Sequence, residues 1–81
     1  MDDKTIWAHI VASVREEIGE AGLELRPEQT AADIPGWDSV THVRIMLNIE
    51  IRTGARLDIS RTYRAKTIGD LVPIFQKAIP A

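Results

Sequence analysis

The sequence of 81 residues contains no cysteine, which excludes disulfide bonds and thiolate metal sites. Its two histidines are scattered, and they show no spacing typical of a metal site. No apolar run approaches the roughly 18 residues that a membrane span needs, and the N-terminus lacks the basic start and apolar stretch of a secretory signal. We therefore predict a cytoplasmic protein without a membrane span or a resident metal.

The chain also lacks strand-period alternation, internal repeats and low-complexity segments, and its length fits a single domain, residues 1–81. A domain of this size buries only about 60% of the surface of its unfolded chain, so its core must be small. The net charge is −2, but residues 1–38 carry nine acidic against three basic residues, and residues 39–81 carry three acidic against seven basic. This asymmetry can steer a charged partner at low salt.

The stretch Gly-Trp-Asp-Ser-Val at residues 36–40 holds the candidate functional residue. A turn at Pro35 and the following glycine delivers Ser39 to the first turn of a long helix, which is predicted to end near Gly54. The hydroxyl of Ser39 then lies among unpaired backbone N–H groups at the positive end of the helix dipole, a place that suits a phosphate. Asp38 beside it can cap the helix or hold a metal.

Apolar residues at helical spacing predict a first helix with one buried face and a last helix with another. These residues are Ile6, Trp7, Ile10, Val11, Val14 and Ile18 in the first helix and Ile68, Leu71, Val72, Ile74, Phe75 and Ile79 in the last. The regular part of the last helix has to begin near Asp70, because Pro73 is tolerated only in a first turn. A short helix of one or two turns can form at residues 60–64. The sequence therefore predicts an all-α bundle of three longer helices and one short helix.

The connection at residues 26–36 is long for so small a domain, and loops of this length are usually functional. Ile34 and Trp37 are its predicted anchors to the core. The connection after the central helix, residues 55–59, is short.

The central helix carries apolar residues on two opposite faces, at about 100° per residue. One face holds Ile45, Met46, Ile49 and Thr53, and the other holds Val40, Val43, Leu47 and Ile51. Two other substantial helices cannot cover both faces, so one face should be exposed and serve as a partner surface. We predict that the exposed face is the one beginning beside Ser39.

These residues resemble a known family, the acyl carrier proteins and the related peptidyl and aminoacyl carrier domains. The hallmark of that family, Asp-Ser-Leu at the start of the second helix, stands here as Asp38-Ser39-Val40. The stretch at residues 36–43 is similar to the longer form Trp-Asp-Ser-Leu-x-His-Leu. The resemblance covers nearly the whole chain, including the helix order and the opening of the last helix at residues 67–71. It implies a single carrier domain with an acyl-carrier-protein-like helical bundle.

The function that this resemblance implies is that of a non-catalytic carrier. A phosphopantetheinyl transferase would attach 4′-phosphopantetheine from coenzyme A to Ser39, while Asp38 helps to position the magnesium-bound donor. An acyl- or aminoacyl-loading ligase or transferase would charge the terminal thiol, and downstream biosynthetic enzymes would use the thioester. The implied partner-binding residues lie on the central helix and are Val40, Val43, Arg44, Leu47, Ile51 and Arg52. We expect the carrier to be a monomer.

The central helix departs from the acidic form typical of carriers in bacterial fatty acid synthesis. It offers Arg44, Asn48 and Arg52, with Glu50 as its single acid. This composition favours dedicated partners in a specialised pathway over housekeeping fatty acid synthesis. The carried group itself is not encoded in the motif, because the loading enzyme chooses it.

Three other interpretations of the sequence compete with the carrier. Asp38, Ser39 and His42 are the residue types of a catalytic triad. Three neighbours on one helical turn, however, seldom place the imidazole between the nucleophile and the acid, as a triad requires. A small nucleic-acid-binding domain could use Thr41, Arg44, Asn48 and Arg52, but such domains are normally basic. An unmodified helical adaptor would keep the fold and never carry the arm.

Overall fold

The computed structural model describes residues 1–80, and these residues form helices and connecting segments without strands. The three α-helices are α1 (Asp3–Ile18), α2 (Ser39–Thr53) and α3 (Leu71–Ala78). A 3₁₀ helix, Ile59–Arg64, lies between α2 and α3 and is referred to below as the short helix. Three longer helices and one short helix were predicted, so the all-α fold class is confirmed. No helix within residues 1–80 is long and apolar enough to cross a membrane.

The boundaries of α1 and α2 follow from capping residues in the sequence. Asp2 accepts a hydrogen bond from the backbone N–H of Thr5 at 2.8 Å, and Gly19 is the C-cap that follows α1. The end of α2 lies at Gly54, which has a φ of 76°. Glycine adopts this left-handed conformation without a Cβ penalty, which explains why α2 stops where the sequence predicts.

The hydrophobic core lies where α1 packs against α2 and α3. Its buried apolar residues are Ile6, Ile10, Val14, Ile34, Ile45, Met46, Ile49, Ala55, Ile68, Leu71 and Phe75. The face of α2 predicted to be buried is therefore buried. A core of aliphatic side chains around a single phenylalanine is small, as expected for this chain length.

The long connection between α1 and α2 is held against the segment that leads into α3. The backbone N–H of Ile68 donates to the carbonyl of Gln29 at 2.8 Å, and that of Gly69 donates to the carbonyl of Pro27 at 2.9 Å. A Cβ on Gly69 would lie only 2.8 Å from the Cβ of Pro27, so the close approach requires glycine. The predicted anchor Ile34 is buried. A further 3₁₀ turn at Ala31–Asp33 was not predicted from the sequence.

The start of α3 is prepared by a 3₁₀ turn, Ile68–Asp70, with a capping box formed by Thr67 and Asp70. Pro73 is the third residue of α3, where its missing N–H costs no intrahelical bond, as predicted. Of the apolar residues predicted to be buried here, Ile68, Leu71 and Phe75 are buried, whereas Val72, Ile74 and Ile79 are only half-buried. The α-helix ends at Ala78, so Ile79 follows it in extended conformation.

Candidate functional site

Ser39 is the first residue of α2, and its side chain is exposed. The turn that delivers it is defined by Gly36, which has a φ of 90°, and by two backbone bonds. The N–H of Trp37 donates to the carbonyl of Ile34 at 3.2 Å, and the N–H of Asp38 donates to the carbonyl of Gly36 at 3.1 Å. Because Ile34 is buried, this turn fixes Ser39 relative to the core.

Asp38 is the N-cap of α2. Its Oδ1 accepts a hydrogen bond from the backbone N–H of Thr41 at 2.8 Å. This backbone hydrogen bond holds the pKa of the Asp38 carboxyl below its ordinary value. The carboxylate is therefore ionised at neutral pH, and the residue that precedes Ser39 carries a negative charge. Within residues 1–80 no cluster of histidine, aspartate and glutamate side chains could hold a metal ion by itself.

The helix that begins at Ser39 offers an electrostatic site for a phosphate. The first N–H groups of an α-helix have no partner within the helix, and Asp38 satisfies the one that belongs to Thr41. The aligned peptide dipoles add a partial positive charge at this end. A phosphate ester on the Ser39 oxygen would lie next to these groups, which are known to stabilise anions.

His42 is buried behind the site in a chain of side-chain hydrogen bonds. The indole N–H of Trp37 donates to Nδ1 of His42 at 3.0 Å, and Nε2 of His42 lies 2.7 Å from Oγ1 of Thr62. The Thr62 hydroxyl donates to the carbonyl of Ile59 at 2.6 Å. Nδ1 is thus an acceptor and Nε2 a donor, which assigns the neutral imidazole. Burial lowers the pKa of His42 and favours the same state.

Both ring nitrogens of His42 have partners other than Ser39, so the geometry of a catalytic triad is not formed. The imidazole instead joins the turn before α2 to the short helix and stacks on Tyr63, with ring centroids 4.4 Å apart. The sequence analysis argued against a catalytic role for His42, but it did not find its partner Thr62. The helical spacing signals the burial of His42, whereas Thr62 lies on another element and follows no local pattern.

The predicted exposed face of α2 consists of Val40, Val43, Leu47 and Ile51. The structure leaves 62% of Val40, 38% of Val43, 46% of Leu47 and 85% of Ile51 exposed. Their predicted exposure is therefore confirmed. An apolar row of this kind beginning beside Ser39 is typical of a protein interaction surface. Arg44 lies on the same helix and is also exposed.

Arg52, by contrast, interacts within the chain. Its Nη2 lies 2.7 Å from a carboxylate oxygen of Glu16, and its Nε donates to Oδ1 of Asn48 at 2.7 Å. Asn48 in turn donates to Glu17 and accepts from Ser13. These bonds join α2 to α1. Arg44, unlike Arg52, is a cation of α2 that is not paired with α1. The same bonds engage Asn48 and Arg52, which are two of the four residues that a nucleic-acid-binding helix would need.

Comparison with known proteins identifies the fold. A holo acyl carrier protein from Geobacter metallireducens, solved in solution by NMR, matches the chain with a TM-score of 0.76 and 24% sequence identity. The match covers 91% of this chain and 84% of that chain. No family model matches the sequence, and the search of curated proteins found no match. The chain therefore has the fold of an acyl carrier protein, as its sequence motifs implied.

Proposed function

We propose that the protein is a carrier that bears 4′-phosphopantetheine on Ser39 and holds substrates as thioesters on that arm. The observation that carries the proposal is the exposed position of Ser39 as the first residue of α2, directly after the Asp38 cap. The fold also supports the proposal, because a holo acyl carrier protein has the same overall architecture. The arm supplies the thiol that this cysteine-free chain lacks.

The residues around Ser39 explain how the chain serves as an acceptor. The turn at Gly36 holds the hydroxyl at the surface, where the active site of a transferase can reach it. The N-terminus of α2 favours the negative charge of the phosphodiester once it is formed. Asp38 caps the helix and keeps its negative charge beside the hydroxyl, a position that suits contact with the magnesium-bound donor on the transferase.

The partners of the carrier are proposed to dock on the exposed face of α2. These partners are a phosphopantetheinyl transferase, a loading enzyme for an acyl or aminoacyl group, and downstream biosynthetic enzymes. Arg44 adds positive charge to this face, whereas Glu50, the one acid of α2, accepts a bond from the N–H of Leu57 at 3.4 Å. We therefore place the carrier in a specialised pathway whose enzymes do not depend on an acidic α2.

The proposal is tested by incubating the chain with coenzyme A and a broad-specificity phosphopantetheinyl transferase and measuring its intact mass. We expect the gain of one phosphopantetheinyl group. Ser39→Ala should abolish the gain. Ser60→Ala is the matched control, because Ser60 is also exposed but lies in the short helix, and it should be modified like the wild type.

An unmodified helical adaptor gives a different result in the same experiment. In that case the wild-type chain is folded and still gains no mass with transferases that modify other carriers. That result would exclude the carrier proposal and favour the adaptor. Modification that persists in Ser39→Ala would show that the arm is attached elsewhere.

A further inference from the structure

A second surface feature lies beside the segment that follows α2. It is a cleft of about 310 Å³ between the segment after α2, the short helix and α3. Its half-buried lining is apolar and consists of Leu57, Ile74 and Ala78. Four exposed cationic residues line the same cleft, and these are Arg56, Arg61, Arg64 and Lys77. None of its lining residues belongs to α2.

The walls of this basic cleft are joined to one another. The backbone N–H of Arg56 donates to the carbonyl of Ala78 at 3.0 Å, which ties the segment after α2 to the end of α3. The short helix is tied to α2 through the buried contact between Thr62 and His42. The cationic side chains therefore project from a frame fixed by hydrogen bonds between elements.

The cations of the cleft form no ion pair within the described part of the chain. Residues 55–80 contain five basic and two acidic residues. Both acids cap helices, since Asp58 accepts from the N–H of Ser60 and Asp70 accepts from the N–H of Thr67. The ion pairs within residues 1–80 join Arg26 to Glu28 and Arg52 to Glu16. None of the four cleft cations takes part in them.

We propose that the basic cleft docks an acidic segment of a partner protein that inserts an apolar side chain between the cations. An apolar centre surrounded by polar, exposed residues is the anatomy of a protein interface, and arginine is enriched at such interfaces. A free phosphate or similar small anion would leave Leu57, Ile74 and Ala78 uncovered. The occupant is instead a segment with carboxylates around an aliphatic residue.

The docking site uses residues other than those of the candidate site. None of the residues that line the cleft belongs to the turn before Ser39 or to the exposed face of α2. The inference does not rest on modification of Ser39, and its test uses the unmodified chain.

The test is a titration of the isotope-labelled chain with a short peptide of glutamate and leucine, followed by two-dimensional NMR. We expect shifts centred on the basic cleft, and weaker binding at high salt because the charges are exposed. The control peptide carries glutamine in place of glutamate and should bind far less. Arg61→Glu combined with Arg64→Glu should weaken binding by roughly tenfold or more, because two attractions become repulsions.

A matched variant distinguishes the effect of charge in the cleft from the effect of the net charge of the chain. Lys4→Glu combined with Arg26→Glu changes the net charge equally but leaves the cleft intact, and it should bind the peptide like the wild type. Equal weakening by both double variants would overturn the proposal. So would stronger binding of inorganic pyrophosphate than of the peptide, or self-association of the chain that occupies the cleft, measured by sedimentation over a range of concentrations.

Discussion

His42 connects three parts of the structure near the candidate site. Through its two ring nitrogens it bonds Trp37 in the turn before α2 and Thr62 in the short helix. Protonation of Nδ1 would remove the acceptor of the indole N–H and place a charge among buried groups. The fold therefore favours the neutral imidazole, in agreement with the lowered pKa that burial causes.

This arrangement predicts how stability depends on pH. The pKa of His42 is lowered in the folded state from an ordinary value of 6.5, so the unfolded chain binds more protons between the two values. The contribution of His42 is fully present above pH 6.5 and is lost as the pH falls below it. Chemical denaturation at a series of pH values, from about 8 to about 5, measures this loss.

Two substitutions distinguish the contribution of His42 to the pH dependence of stability from that of other groups. His42→Gln should lower stability at neutral pH by about 1–3 kcal/mol, because Trp37 and Thr62 lose their partner, and it should flatten the pH dependence around 6.5. His9→Gln is the control and should keep the slope of the wild type. An unchanged slope in His42→Gln would show that other groups cause the pH dependence.

At the residue scale, Ser39 and Asp38 could be found from the sequence because their signals are local. A turn-forming Pro-Gly pair, an N-cap and the first helical position follow one another within residues 35–39. The partners of His42 could not be found in this way. Trp37 is a neighbour along the chain, but Thr62 reaches His42 only through packing of the short helix against α2.

At the scale of the element, α2 has one buried and one exposed apolar face. Periodicity alone divided the residues correctly between these faces, because a helix of fixed pitch leaves few choices. Periodicity did not reveal that Arg52 and Asn48 are bonded to α1. The sequence pattern therefore could not predict which polar residues of α2 contact α1 and which lie on the exposed face.

The two faces predict different effects on stability. Ile49 is fully buried, and Ile49→Ala should reduce the free energy of unfolding by about 2–5 kcal/mol. Ile51 is 85% exposed, and Ile51→Ala should change it by no more than about 0.5 kcal/mol. Leu47→Ala should resemble Ile51→Ala in stability, and both should weaken binding of the loading enzyme. Chemical denaturation measures the stability of each variant, and loading kinetics measure its binding to the enzyme. Unchanged loading of Leu47→Ala and Ile51→Ala would show that the partner surface lies elsewhere.

The charge on the exposed face of α2 gives another prediction at this scale. Arg44→Glu should slow loading by the native loading enzyme roughly threefold to tenfold at low salt, because rim charges act mainly on association. The effect should shrink at about 1 M salt, where the screening length is about 3 Å. Lys4→Glu has the same charge change on α1 and should load normally. Equal rates for Arg44→Glu and wild type at low salt would assign Arg44 to solvated surface only.

At the scale of the whole molecule, spacing and caps in the sequence predicted the helix order, and the resemblance of its motif to a known family implied the acyl carrier protein fold. It also showed that residues 39–81 are basic overall. The basic cleft itself required the structure, because its residues come from the segment after α2, the short helix and α3. Ile74, predicted to be buried, is half-buried and lines that cleft.

The central claim is that Ser39 carries an arm to which substrates are attached. Its most direct test is the intact mass of the chain isolated from its own cells, before and after treatment with hydroxylamine, followed by mapping of the modified peptide. We predict a phosphopantetheinyl group on the peptide containing Ser39, together with an acyl or aminoacyl group that hydroxylamine removes while the arm remains. A mass equal to that of the unmodified sequence under conditions in which the pathway is active would contradict the claim.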